Sequence, residues 1–230
     1  MKSLSRRQTL RATGAFALIA SLAPAVHAAA QRTFTVTIGN VATEKTLMLP
    51  DGGTTGAPIA PGVYVVAPTP NVLFTLDAHA DEALERLAED GNFQPLLDKV
   101  AAMKGLRVSG MFLPGQPFTV TASPGDRLQF ATMFVQSNDL FFAPRDGGIA
   151  LFDTGGRAMH GKVTSRIALF DAGTEVNQPP GFGPDQAPRQ AGPDTGRAER
   201  MPIDLVQNRH DGFAYPPVAG VIEVEIELAG

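Results

Sequence analysis

The sequence predicts an all-β protein built as an antiparallel sandwich, on three observations. Both ends of the stretch from residue 31 to 230 alternate apolar and polar residues with the period of a half-buried strand. Between them, short runs rich in β-branched and aromatic residues recur, set off by Gly, Pro, Asn and Asp. Most connections are short enough for strands that reverse direction at each turn.

The first strand is Thr33–Ile38, where Phe34, Val36 and Ile38 share a face. Further strands are expected near 62–67, 106–112, 117–122, 126–136, 148–152 and 166–170. The last, from Ile222 to Leu228, points Ile222, Val224, Ile226 and Leu228 one way and Glu223, Glu225 and Glu227 the other. The two terminal strands are suited to pair with each other, tying down both ends.

One helical excursion interrupts the strands. From Asp81 to Glu89, Leu84, Leu87 and Ala88 fall on one face, and Gly91 is the stop signal. From Pro95 to Lys104, Leu96, Leu97, Val100 and Ala101 gather before Gly105. Residues 171–219 hold eight prolines and six glycines and scarcely any periodicity. A stretch that long without regular structure is uncommon in a compact domain. It is expected to wrap over the sandwich, because the final strand must return to the same core.

Residues 1–30 read as a secretory signal outside the fold: Lys2, Arg6, Arg7 and Arg11, then an apolar segment from Ala12 to Val26, then Ala28-Ala29-Ala30. Ser5-Arg6-Arg7-Gln8-Thr9-Leu10-Arg11 resembles the twin-arginine signal of folded export. The expected product is a single periplasmic or secreted domain, residues 31–230, with no membrane span. Residues 1–30 carry four of the 19 basic residues and none of the 23 acidic ones, so the mature net charge is −8. Such a chain is not drawn to nucleic acid or anionic lipid by long-range attraction. With no cysteine, it has no disulfide, thiolate metal site or thiol nucleophile.

Two acidic corners stand out, Ser137-Asn138-Asp139 and Asp171-Ala172-Gly173-Thr174-Glu175. The run Ile149-Ala150-Leu151-Phe152-Asp153 recurs as Ile167-Ala168-Leu169-Phe170-Asp171. If strand direction alternates, Asp139 and Asp171 lie at one end of the sandwich and Asp153 at the other. Hard cations such as calcium take six to eight oxygens at about 2.3–2.6 Å. Asp139 and Asp171 are the candidate direct ligands, with Glu175, Asn138 and Asn177 able to fill out the shell. The same residue types also serve plain turns by bonding their own backbone.

Thr132-Met133-Phe134-Val135-Gln136-Ser137-Asn138-Asp139-Leu140-Phe141-Phe142, Gly148–Asp153 and Asp171–Glu175 together resemble the spondin N-terminal domain in its bacterial form. Animal members are extracellular-matrix proteins of the F-spondin and mindin type. The resemblance spans roughly residues 32–228 and implies an eight-stranded antiparallel β-sandwich, similar to calcium-dependent membrane-binding domains. It implies one calcium site with Asp139 and Asp171 as ligands. The family's third ligand is a Glu on a preceding strand. Phe118-Thr119-Val120-Thr121 has no acid there, leaving that ligand lost or replaced by Thr119 or Thr121. Leu140 stands where animal members have Trp, and Glu175 replaces their second aspartate.

These readings converge on an exported, non-catalytic, calcium-binding spondin-like monomer that recognises or adheres to a protein or glycan. The alternatives are a secreted hydrolase using metal-activated water at the Asp139/Asp171 end, and a purely structural cation. Against an enzyme, only His79, His160 and His210 follow residue 30, none with a companion histidine at ligand spacing. No Gly-x-Ser-x-Gly elbow or phosphate-cradling loop follows a strand. Tryptophan is absent and Tyr64 and Tyr215 are the sole tyrosines, a poor supply of sugar-stacking platforms.

Overall fold

The computed structural model describes residues 31–229, and the signal-type segment lies outside the described residues. In chain order the strands are β1 (Arg32–Asn40), β2 (Leu47–Met48), β3 (Thr54–Thr55), β4 (Gly62–Ala67), β5 (Val108–Phe112), β6 (Phe118–Ala122), β7 (Arg127–Met133), β8 (Leu140–Pro144), β9 (Ile149–Ala150), β10 (Gly161–Lys162), β11 (Ile167–Asp171), β12 (Asp204–Leu205) and β13 (Ile222–Leu228). Helices α1 (Glu82–Asp90) and α2 (Gln94–Ala101) interrupt them between β4 and β5. The protein is all-β and sandwich-like, with every strand pairing antiparallel. Five strands are two-residue bridges, and eight are longer.

One main sheet has the order β10-β13-β1-β6, the second β12-β11-β8-β7-β4-β5 with β9 alongside β7, and β2 and β3 form a separate two-stranded ribbon. The terminal strands pair as their alternation predicts, from Phe34 opposite Leu228 to Asn40 opposite Ile222. Phe34, Val36 and Ile38 of β1, with Ile222, Val224 and Ile226 of β13, face Phe130, Phe142 and Leu169 of the second sheet across the main core.

The second sheet is buried on both faces. Val63, Val65, Ala131, Phe141, Ala143, Ala168 and Phe170 point away from the sandwich and pack under Leu84 and Leu87 of α1 and Leu96 and Val100 of α2. The helical pair is thus a third layer. Asp81 caps α1, its Oδ1 accepting from the Leu84 amide at 3.1 Å, and Gly91 ends it in the left-handed region at φ 67°.

One element departs from expectation. The sequence pattern gives strands near 126–136 and 148–152 and none between; instead β8 begins at Leu140, directly after the acidic corner, and only Ile149–Ala150 remains as β9. β8 lies between two cores, so Leu140-Phe141-Phe142-Ala143 is apolar throughout and shows no alternation. Arg145–Gly148 then bulges out before β9 resumes the descent along β7, pairing Leu128 with Ile149. The direction of travel is unchanged, so the strand-parity argument survives.

Candidate functional site

The sheet register brings the two acidic corners together. Leu140 of β8 stands opposite Asp171 of β11, and the Ala172 amide donates to the Asp139 carbonyl at 3.1 Å. Between β7 and β8 the chain turns within Phe134–Leu140, closed by a bond from the Phe134 amide to the Leu140 carbonyl at 2.8 Å. The Ser137 hydroxyl locks that turn, donating to the Phe134 carbonyl and accepting from the Leu140 amide. Asp153 is at the far end, following β9 where β9 pairs with the start of β7. Its carboxylate serves its own turn, accepting from Gly155, the Arg157 amide and the Arg157 side chain.

Both corner carboxylates are completely buried. Asp139 Oδ2 accepts from the amides of Thr174 (2.7 Å) and Glu175 (3.1 Å) and from the Thr174 hydroxyl (3.3 Å). Asp171 Oδ1 accepts from the Gly173 amide (2.7 Å) and Arg209 Nη2 (2.8 Å), and its Oδ2 from Asn177 Nδ2 (2.6 Å). Gly173 has φ 71° and lies so close to the Met201 carbonyl that a Cβ there would overlap it. Only glycine permits that close crossing of the two chain segments.

The five sequence-predicted ligands divide into two groups. Asp139, Asp171 and Asn177 are linked directly or through shared neighbours. Glu175 and Asn138 form a second cluster: Glu175 Oε2 accepts from Asn138 Nδ2 at 3.2 Å and Oε1 from the Gly196 amide at 2.8 Å. Asn138 Oδ1 in turn accepts from the Gln178 amide at 3.1 Å. Glu175 therefore anchors the Pro/Gly-rich segment, its carboxylate occupied by donors. Thr119 and Thr121 do not join either group: they are exposed on β6 of the opposite sheet, opposite Thr35 and Thr33.

The long segment wraps over this end, as expected of a chain that must return to the core. The Gly181 amide bonds to the Gln136 carbonyl at 2.9 Å, and Arg189 Nη1 to Gln136 Oε1 at 3.0 Å. Gln190 Nε2 reaches Asp90 at the end of α1 at 3.1 Å. An isolated bridge joins Glu175 and Ala198.

Sequence reasoning missed three residues at this end: Arg209 and Tyr215 beside the corner, and Glu89 on the far side of Thr174. Arg209 pairs with Asp171 and also donates to the Pro202 carbonyl at 2.7 Å. Tyr215 donates its hydroxyl to Asp211, and burial first, then that bond and the nearby charges of Asp171 and Asp139, holds its phenol far above the usual range. Glu89 of α1 is buried under the wrapping segment, and burial pushes its carboxyl up to about 7 against the lowering effect of the Thr174 hydroxyl. Its sequence signal is the Glu85/Glu89 spacing on one helical turn, while Arg209 sits beside the conspicuous His210-Asp211 pair. All three histidines after residue 30 are exposed.

Electrostatically the corner is under strain. Burial, reinforced by the neighbouring charges of Asp171 and Glu89, raises the Asp139 carboxyl well above its ordinary range, despite the two amides that favour its ionised form. Among the described residues, three buried side-chain polar atoms lack a hydrogen-bond partner: Asp139 Oδ1, Glu89 Oε2 and Arg209 Nε. All three belong to this one end, where Arg209 pairs with Asp171 and the Asp171 and Glu89 charges act on Asp139. Buried polar atoms are almost always satisfied, so their concentration marks a place where stability has been given up.

For a hard cation the donor set is of the right chemistry but incomplete. Asp139 Oδ1 is free to ligate, whereas the Asp171 carboxylate is shared with Arg209 and Asn177. A scan against protein-family models finds no match to this chain, and no curated protein matches its sequence.

Proposed function

We propose that the protein is an exported, non-catalytic, calcium-binding recognition module of the spondin-like kind, in which one cation at the Asp139/Asp171 corner braces the long wrapping segment. The observation that carries this reading is the fully buried, unpartnered Oδ1 of Asp139 beside a second buried carboxylate. An uncompensated buried carboxylate must either hold a proton or meet a cation. Calcium accepts an irregular shell of carboxylate, amide, carbonyl and water oxygens.

Through Thr174 and Glu175, whose amides hold Asp139, the corner fixes the start of the wrapping segment. A cation there orders that surface for a protein or glycan partner outside the cell. Complete burial of both carboxylates favours this bracing role over hydrolysis, because a metal-activated water needs an open position facing substrate. The export expectation rests on residues 1–30, and the recognition role on the resemblance of the two corner motifs.

Calorimetric titration of the chelator-stripped protein with calcium tests the reading. Binding accompanied by a rise in melting temperature is expected, weakened by Asp139→Asn and by Asp171→Asn but not by Asp153→Asn. No heat and no thermal shift at millimolar calcium would overturn it.

A further inference from the structure

We propose a second cation site, separate from the Asp139/Asp171 corner, in which Glu85, Glu89 and Asp194 bind one hard divalent cation of the calcium class between α1 and the segment that wraps over it. Glu85 and Glu89 are one helical turn apart and so present their carboxylates on the same stripe of α1. Asp194 comes down from the wrapping segment to meet them. One carboxylate oxygen from each of the three lies within 4.8 Å of the others. Ligands held at about 2.3–2.6 Å on opposite sides of one calcium ion are separated by about that span.

An acidic cluster alone would be ordinary surface chemistry, but here Glu89 is only 2% exposed and its Oε2 has no partner. It lines a cavity of about 440 Å³ together with Glu85, Asp194, His79, Thr174, Glu199 and Arg200. Among the described residues no lysine or arginine forms an ion pair with any of the three acids; the adjacent Arg86 turns to Asp90 at 3.3 Å. Arg86 and Arg200 lie near but form no ion pair with the three carboxylates, which repel one another, and a divalent cation relieves that repulsion.

The oxygen-only set suits calcium, and the cavity leaves room for the waters that complete its shell. An extended organic cation would not use oxygens converging on a single point. Thr174 is the partition between this site and the corner: its amide and hydroxyl bond Asp139, while the residue also lines the cavity.

The test is calcium titration by calorimetry of the chelator-stripped protein and its variants, with melting temperature as the check on folding. Asp194 is exposed, so Asp194→Asn removes a ligand without disturbing the core. It is expected to weaken one calcium equivalent at least about tenfold, since even outer-shell partners of a bound metal cost that much. Glu89→Gln should do the same, and Asp139→Asn should leave that equivalent in place. If Asp194→Asn and Glu89→Gln leave every calcium equivalent unchanged, or if Asp139→Asn abolishes all calcium binding in a folded protein, the second site does not exist. If Asp139→Asn changes nothing while Asp194→Asn removes binding, the second site stands and the corner reading falls.

Discussion

Asp139 is asked to be two things at once, a turn acceptor and a buried charge. Its Oδ2 fixes the Thr174 and Glu175 amides, which an asparagine oxygen can also do, while Oδ1 is stranded. Asp139→Asn should therefore keep the fold, with a metal-free melting temperature equal to or above that of the wild type and the calcium-induced rise reduced. Arg209 is the opposite case. It is the cation against Asp171 and is 90% buried in its side chain, so Arg209→Met leaves an uncompensated carboxylate and should cost about 3–5 kcal/mol in urea denaturation. Adding Asp171→Asn should return much of that loss. The raised carboxyls also set a pH dependence. Glu89 titrates near 4.5 when unfolded and about 7 when folded, and Asp139 moves in the same direction. The folded state thus holds protons that the unfolded state has released, so stability is greatest below about pH 4.5 for these groups and falls as pH rises through 7. In chelator, the urea midpoint at pH 8 should lie below that at pH 5, and Glu89→Gln should flatten the slope.

At the scale of elements, what the sequence reveals depends on whether an element has one wet face. β1, β13 and α1 each do, and their alternation or helical spacing locates them to within a residue or two. β8 has none, because one face meets the sandwich core and the other meets the helical layer, so its apolar run carries no period to read. The same reasoning separates the corner residues. Asp139, just before β8, and Asp171, at the end of β11, flank strands and are legible through strand parity. Arg209 and Tyr215 take their positions from a segment without regular structure, and although α1 places Glu89, nothing in local spacing foretells that this segment will cover it. For α1 the local signals suffice for a prediction: Asp81→Ala removes the acceptor for the Leu84 amide and should cost about 1 kcal/mol of stability.

Across the whole molecule, the second sheet is the shared wall of two cores, one toward β1 and β13 and one toward α1 and α2. Phe141 and Phe142, adjacent in β8, face opposite cores. Neither layer can then be lost without exposing the sheet the other depends on. Leu87→Ala under the helices and Phe34→Ala between the sheets should each cost about 2–5 kcal/mol. Both should lower a single calorimetric transition, with no second peak appearing. The wrapping segment adds to this unity, running from the corner over α1 to β12 at the sheet edge. Among the described residues no helix is long and apolar enough to cross a membrane.

The pairing of β1 with β13 has a consequence in time rather than in energy. Phe34 finds its partner nearly two hundred residues later, at Leu228, and β10 in turn pairs only with β13, while β6 takes the other edge of β1. During synthesis one edge of the first strand must therefore wait unpaired until the last strand has left the ribosome. Contacts this remote in sequence close slowly. The interval before closure, more than any weakness of the finished fold, is when this chain is exposed to aggregation and most in need of protection.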